Sequence, residues 1–432
     1  MYDIAIIGGG PGGYELAINA YNQGLSVLLI EQDKLGGVCL NSGCIPTKTL
    51  YQAASIYSMN GSAYGITCNN KIDYSKTIEY KDKIVFDLRK SIESSLKGID
   101  LVSGVGDIID KNHVQVNDNI YETKYIVIAT GSKVIKIPGF EDDLYSYDIL
   151  NLKELPKKLA IIGGGVIGIE MASIFSKLGV EVTVIEMSDR IIPNFDRDIS
   201  KRLHSYLKND NINFYLNSVA IKVKDKLIVK NDKGQFDIEY DKILVCVGRR
   251  ANLSINNLDK LGIQYNNQGI IVDDNFRTSI RNIFAIGDVI GKNMLAHYAI
   301  YSGKQVLNTI LAKEEQIDFG VVPSCVFSFP EVSMVGLSEV FLADKNIDYK
   351  VIKHLYRANG KAQAMNETDG YIKLLIKDDL IIGCSIIGYS SSILIHEVAI
   401  FIEQKIKISE IKNIIHAHPT LSELISEAIK DI

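Results

Sequence analysis

One pattern is written twice along this chain. Residues Asp3 to Ile7 form a short apolar run, followed by Gly8-Gly9-Gly10-Pro11-Gly12-Gly13, a helical pattern through Leu16, Ala17 and Ala20, a second apolar run Val27 to Ile30, and then Glu31. Leu159 to Ile162 lead in the same way into Gly163-Gly164-Gly165-Val166-Ile167-Gly168, a helix carrying Met171, Ala172, Phe175 and Leu178, then Val182 to Ile185 and Glu186. Glu31 follows Gly8 by 23 positions and Glu186 follows Gly163 by 23, so the copies match without a gap at an offset of 155 (163 minus 8). Strand, glycine turn, helix, strand and acid is the order of a dinucleotide-binding unit. Gly8 and Gly163 allow the tight turn, and Gly10 and Gly165 let a pyrophosphate approach the backbone at a helix N-terminus. Gly13 and Gly168 let helix and strand pack closely, while Glu31 and Glu186 can accept from ribose hydroxyls. Two such sites in one chain suit a tightly held flavin and an exchangeable nicotinamide. Glu186 would repel a 2′-phosphate, which favours NAD over NADP, and Arg190 is expected to make a surface or pyrophosphate contact.

Between the copies lies Cys39-Leu-Asn-Ser-Gly-Cys44-Ile-Pro-Thr-Lys48. The Asn-Ser-Gly turn signal can bring the sulfurs together, and Pro46 suits the first turn of a helix through Thr49, Leu50 and Ala53. A helix N-terminus beside Cys44 would favour a thiolate there. The spacing alone leaves three readings open: a redox pair, two buried reduced cysteines, or half of a metal site. A closed zinc site wants four ligands and usually a shorter C-x-x-C spacing.

At 432 residues the chain should make two to four domains. Its net charge of -5 leaves no footprint for nucleic acid or an anionic membrane surface. The start offers no basic n-region or cleavage site of a signal peptide, and Leu380 to Ile395 is too interrupted by glycine and serine for a membrane span. Six cysteines, four of them scattered, suit a cytoplasmic protein with one special pair better than a secreted disulfide framework.

Tyr125 to Ala129 runs into Thr130-Gly131-Ser132, and Ile243 to Val247 into Gly248-Arg249-Arg250; both resemble strands crossing close to a cofactor, although strand-end glycines also serve as plain turns. Ile283 to Ile286 is an apolar strand ending in Gly287-Asp288, whose carboxylate is either a ligand of a flavin ribityl hydroxyl or a turn or cap residue. From about Val321 onward, short alternating runs such as Tyr371 to Ile376 and Ile381 to Ile387 predict an antiparallel sheet flanked by helices such as Ile393 to Ile402. Near the end, His416-Ala417-His418-Pro419-Thr420-Leu421-Ser422-Glu423 places a histidine beside a carboxylate, with Pro419 expected to open a helix. The expected fold class is α/β: two Rossmann-like dinucleotide-binding domains plus a C-terminal α+β dimerisation domain. The expected boundaries are 1–150, completed by about 270–319, for the flavin; 151–269 for the nicotinamide; and 320–432 for the interface domain.

Together these motifs resemble the FAD-dependent pyridine nucleotide-disulfide oxidoreductases over essentially the whole chain, most closely the dihydrolipoamide dehydrogenases among them. The cysteine stretch and the His418–Glu423 motif are the most specific parts. The resemblance implies FAD and NAD as cofactors, no metal, and a homodimer in which one subunit's C-terminal domain completes the other's active site. It implies that Cys39 meets the substrate thiol, that Cys44 lies against the flavin, and that Lys48 sits near the flavin and pairs with Glu170. His418, oriented by Glu423, would be the general base. The implied partner is a lipoyl-bearing protein of a 2-oxoacid dehydrogenase or glycine cleavage complex. The runner-up is an NAD(P)H-driven reductase of another small disulfide, such as glutathione disulfide; a noncatalytic flavin-binding subunit fits the cysteines and histidine poorly. Tyr298-Ala299-Ile300-Tyr301-Ser302-Gly303 departs from the family, whose members often carry a lysine and an acid there, and is expected to alter flavin or dimer contacts.

Overall fold

The computed structural model describes residues 1–430, and in it the two apolar runs of the first motif become the neighbouring parallel strands Tyr2–Ile7 and Val27–Glu31. Ile4 stands opposite Val27 and Ile7 opposite Ile30. Ile4, Ala5 and Ile6 are fully buried, as a parallel strand covered on both faces requires. The chain divides into two compact units, the first comprising Met1–Thr49, Ser75–Lys136 and Gly248–Ile317, the second Leu50–Tyr74, Ile137–Val247 and Asp318–Ile432.

In the first unit the parallel strands run in the order Asp100–Ser103, Val27–Glu31, Tyr2–Ile7 and Asn119–Ile128, with Ile283–Ala285 beside the last. Asn119–Ile128 serves two sheets. Its later half pairs in parallel with Tyr2–Ile7, and its first half pairs antiparallel with His113–Val116. Helix Pro11–Asn22 lies against helix Ala296–Ile310, and the approach is close because Gly12 has no side chain: a Cβ there would sit 3.0 Å from the Ala299 carbonyl oxygen. A Cβ on Gly303 would likewise sit 3.2 Å from the Gly12 oxygen. The departure at 298–303 thus has a packing role. Ala299, Ser302 and Gly303 are small enough for this contact, while Tyr298 turns inward against Phe276.

The second unit holds two sheets and a hairpin meander. Strands Ile212–Tyr215, Glu181–Ile185, Lys158–Ile162 and Lys242–Val245 form a four-stranded parallel sheet, the order of the second motif. The segment after 320 forms a five-stranded antiparallel sheet in the order Ser324–Val326, Val332–Gly336, Leu380–Gly388, Gly370–Lys377 and Lys350–Leu355. Helix Ser391–Glu403 covers one face of it with Leu394, Ile395, Val398 and Phe401. Its other face leaves Ile393 and Ile400 at 71% and 57% exposure, and Ile415 nearby in sequence is 95% exposed. Among the described residues no helix is long and apolar enough to cross a membrane; the late apolar run is a strand followed by a helix.

Strand Gly370–Lys377 also carries a lysine no pattern flagged. Lys373 is fully buried, with its Nζ 2.8 Å from Asp196, 2.6 Å from Asp198 and 2.6 Å from Glu339. Asp198 accepts from Lys353 as well. An ammonium buried without such partners would be untenable, so the acids and the lysine explain one another.

Candidate active site

The two glycine turns have nearly the same geometry. Gly8 and Gly163 adopt φ of +117° and +108°, a region L side chains avoid. A Cβ on Gly13 would lie 1.8 Å from the Gly8 oxygen, and one on Gly168 2.0 Å from the Gly163 oxygen. Around Gly10 and Gly165, by contrast, a Cβ would meet nothing closer than 3.9 Å, so these backbones face open space. Neither following helix, Pro11–Asn22 or Val166–Lys177, has a side-chain cap or an acid in its first turn. Their leading amides are therefore available to an anion.

The acids are also fixed alike. Glu31 accepts from the amides of Gly9 at 2.7 Å and Asp33 at 2.8 Å. Glu186 accepts from Gly164 at 2.5 Å and Ser188 at 2.6 Å. A carboxylate has about four lone-pair sites, so each acid keeps capacity for ribose hydroxyls. The free helix amides, open backbone and oriented acids fit FAD at the first turn and NAD at the second. Arg190 donates to the Pro193 carbonyl at 2.8 Å, bracing the loop behind Glu186.

The cysteines sit on two helices, with the turn only at Gly43. Cys39 lies in Gly37–Ser42, and the next helix, Cys44–Tyr57, starts at Cys44 itself, two residues before Pro46. Cys44 thus stands at the positive end of a fourteen-residue helix. Cys44 is exposed and Cys39 half-buried. The hydrogen bond with Cys44, with burial behind it, pushes the Cys39 thiol well above its ordinary range, while Lys48 pulls the other way. The positive end of this helix favours a charged sulfur at Cys44. Cys246 is different: it is half-buried, and desolvation pushes its thiol up to about 12.

Thr130 and Gly131 follow strand Asn119–Ile128 and are tied by Asn252: Thr130 Oγ1 donates to the Asn252 oxygen at 2.8 Å and the Asn252 amide to the Gly131 oxygen at 2.9 Å. At the other crossing Gly248 adopts φ of +115° and its oxygen accepts from the Ile135 amide at 3.1 Å. Gly287 and Asp288 follow strand Ile283–Ala285 in a single 3-10 turn. Asp288 accepts from Ser132 Oγ at 2.5 Å, and Arg249 donates to the same hydroxyl at 2.8 Å. Burial pushes the Asp288 carboxyl up, opposed by Ser132 and Arg249. Ser132 and Arg249 stand in the two glycine triplets visible in the sequence, but only the fold shows that they converge on Asp288.

In the second unit Glu170, on helix Val166–Lys177, is buried and accepts from the Phe327 amide at 3.0 Å. His418 Nδ1 lies 2.9 Å from Glu423 Oε1, and Glu423 Oε2 accepts from the Thr420 amide at 2.8 Å. The helix here starts at Glu423 and not at Pro419, because residues 419–422 form a turn whose amide the Glu423 side chain satisfies. Those bonds, Thr420 first and His418 second, hold the Glu423 carboxyl below its usual value, and His416 adds to the effect. The His418 ring itself is 78% exposed, open to an incoming molecule.

A duplicated nucleotide cradle with a cysteine pair between the copies and a separate antiparallel domain defines a class, and the family comparison agrees. The chain belongs to the pyridine nucleotide-disulphide oxidoreductases: the family's main model matches residues 2–303 and its dimerisation domain residues 322–429. It is 38% identical to dihydrolipoyl dehydrogenase of Bacillus subtilis over 99% of this chain and 95% of that one. It is 37% identical to the enzyme of the same name from Mycoplasma genitalium, over 99% and 98%. Among solved structures it resembles the HOCl-induced flavoprotein disulfide reductase RclA from Escherichia coli, with 29% identity, a TM-score of 0.88 and 99% of each chain covered. LpdA from Mycobacterium tuberculosis, at 24% identity and a TM-score of 0.92 over 100% and 99% of the chains, shares the fold.

Proposed function

We propose that this chain is a homodimeric, FAD-dependent dihydrolipoyl dehydrogenase that oxidises protein-bound dihydrolipoyl groups and passes the electrons to NAD. The observation that carries this reading is Cys44 at a helix N-terminus, hydrogen-bonded with Cys39 and near Lys48, in a chain with two nucleotide cradles. The division into a flavin domain (1–150 with about 270–319), a nicotinamide domain (151–269) and an interface domain (320–432) belongs to the same proposal, as does work in the cytoplasm, where free thiols persist.

In the oxidised enzyme Cys39 and Cys44 share a disulfide. His418 of one subunit, held by Glu423, takes the proton from a substrate thiol. The substrate thiolate attacks Cys39 Sγ, forming a mixed disulfide and expelling Cys44 as a thiolate, which the helix dipole and Lys48 stabilise. The second substrate thiol releases its proton to solvent as its sulfur attacks the first, closing the lipoyl disulfide, and His418 gives the proton it holds to the departing Cys39 sulfur. When bound, FAD supplies an acceptor for the two electrons of the reduced pair and NAD their onward carrier. Glu31 and Glu186 orient the two nucleotides, and the Gly8–Gly13 and Gly163–Gly168 turns seat their phosphates. Lipoyl domains of a 2-oxoacid dehydrogenase or glycine cleavage complex are the partners this chemistry serves.

The deciding experiment compares kcat/KM for dihydrolipoamide with NAD against NADH- and NADPH-driven reduction of glutathione disulfide. A preference for dihydrolipoamide of several orders of magnitude is expected. A preference for glutathione disulfide would overturn the substrate, and one for NADPH the reading of Glu186.

A further inference from the structure

The base His418 rides on an exposed stretch with a single inward anchor. Of residues 412–419, all described, His416 alone is not exposed, and its side chain is only 8% accessible. No apolar side chain secures the segment, since Ile414 and Ile415 point outward at 43% and 95% exposure. His416 is held from both sides: Nε2 lies 2.6 Å from Glu397 Oε1 on helix Ser391–Glu403, and Nδ1 lies 3.2 Å from the Ile414 oxygen. Facing a carboxylate, Nε2 is the donor, which fixes the ring's position, and a doubly protonated ring donates to the Ile414 oxygen as well. One residue further on, the Ala417 oxygen accepts from Thr420 Oγ1 at 2.8 Å, and the buried Asn359 donates to the Thr420 oxygen at 3.1 Å. The backbone of the base is thus pinned before it by His416 and after it by Thr420, while Glu423 sets the ring and also holds the Thr420 amide.

We propose that His416, through Glu397, is a positioning residue for the general base, fixing where His418 is presented to the substrate thiol. His416 touches neither substrate nor cofactor in this scheme and acts only through His418. The inference rests on the reading of His418 as the base. A base displaced by about 1 Å loses on the order of a hundredfold in rate, so a mispositioned His418 is costly even when chemically intact.

The test uses the FAD-loaded dimer with His416→Ala, Glu397→Ala, Glu397→Gln, His418→Gln and the His416→Ala/His418→Gln double variant. The readouts are dihydrolipoamide oxidation by NAD and NADH-driven reduction of ferricyanide, which needs no thiol base. His416→Ala and Glu397→Ala are expected to lower dihydrolipoamide kcat by about tenfold to a hundredfold while ferricyanide reduction stays at the wild-type rate. Glu397→Gln, which keeps an oxygen acceptor for the His416 ring, should recover most of the loss. The double variant should be no slower than His418→Gln alone, because a residue acting through the base has nothing left to position. Unchanged kcat in His416→Ala, a parallel fall in ferricyanide reduction, or additive losses in the double variant would each overturn the proposal. Full activity in His418→Gln would instead overturn the reading of His418, a separate result.

Discussion

The two nucleotide cradles are near copies, yet the chain diverges just after each acid. In both, the segment following the acid returns to its glycine turn, by Gly36 N to the Gly9 oxygen at 2.9 Å and by Ile192 N to the Gly164 oxygen at 2.8 Å. In both it then runs into helix, Gly37–Ser42 followed by Cys44–Tyr57 in the first copy and Arg197–Asn209 in the second. In the first copy this return carries Cys39, Cys44 and Lys48. In the second it carries Asp196 and Asp198, which bind the buried Lys373 and tie the cradle to the antiparallel sheet. The framework that seats phosphate tolerates little change, while the next segment is free to bear either redox chemistry or an anchor. This is the usual division between scaffold and loop, drawn twice in one molecule.

The strongest way to break that comparison is to spoil one cradle at a time. Gly13→Ala forces a Cβ to within 1.8 Å of backbone and should cost more than about 3 kcal/mol, leaving protein that folds poorly and lacks the yellow flavin colour. Gly168→Ala meets the same contact at 2.0 Å and should also destabilise, but the protein that folds should keep its flavin absorbance while NADH no longer reduces it in a stopped-flow trace. Equal flavin loss in both variants would mean the copies are not assigned as proposed.

Lys373→Met tests the second copy's anchor. It leaves three acids facing one another and is expected to lower stability by about 3 to 5 kcal/mol in urea unfolding, with the thiol pair unaffected. A smaller effect is expected at the acid itself. Glu186→Ala removes two hydrogen bonds to backbone amides and should raise the KM for NAD by about tenfold, with flavin content unchanged.

The smallest effect compares ion pairs in the two units on acidification. Burial works against the Asp198 carboxylate, but Lys353 and Lys373 overcome it and bring its pKa down to about 2. Lys124, with Ser26, does the same for Asp3, also to about 2. A depressed folded-state pKa contributes stability above the unfolded value of 3.8 and loses it as pH falls through the folded one, so both contributions should vanish between about pH 4 and pH 2. Asp3→Asn should flatten that fall only slightly, because its pair is at the surface. A large change would show that the pair matters beyond its exposure.

Much of this was legible in the sequence because it depends on local spacing. Glycines at fixed offsets, an acid 23 residues on and two cysteines around a turn all report on backbone needs within one unit. What stayed hidden depends on residues far apart in the chain. Lys373 lies within a run read as an alternating strand, and its three acids come from positions 196, 198 and 339. Arg249, Ser132 and Asp288 meet only once the strands are laid side by side. Pro46 does lie in the first turn of Cys44–Tyr57, but the helix after Pro419 starts only at Glu423, because a proline tolerates a first turn without marking it. His416 stood in plain view beside His418, but only the Glu397 contact gives it a task.

The isoleucines left outward on helix Ser391–Glu403 have a thermodynamic consequence. Among the described residues Ile393 and Ile400 stay exposed, and they lie in the segment that matches the family's dimerisation domain. Association of two such chains makes part of the free energy of the native state bimolecular, so it follows mass action. Dilution then acts on this protein as a mild denaturant does on a monomer, and its melting temperature should climb with protein concentration.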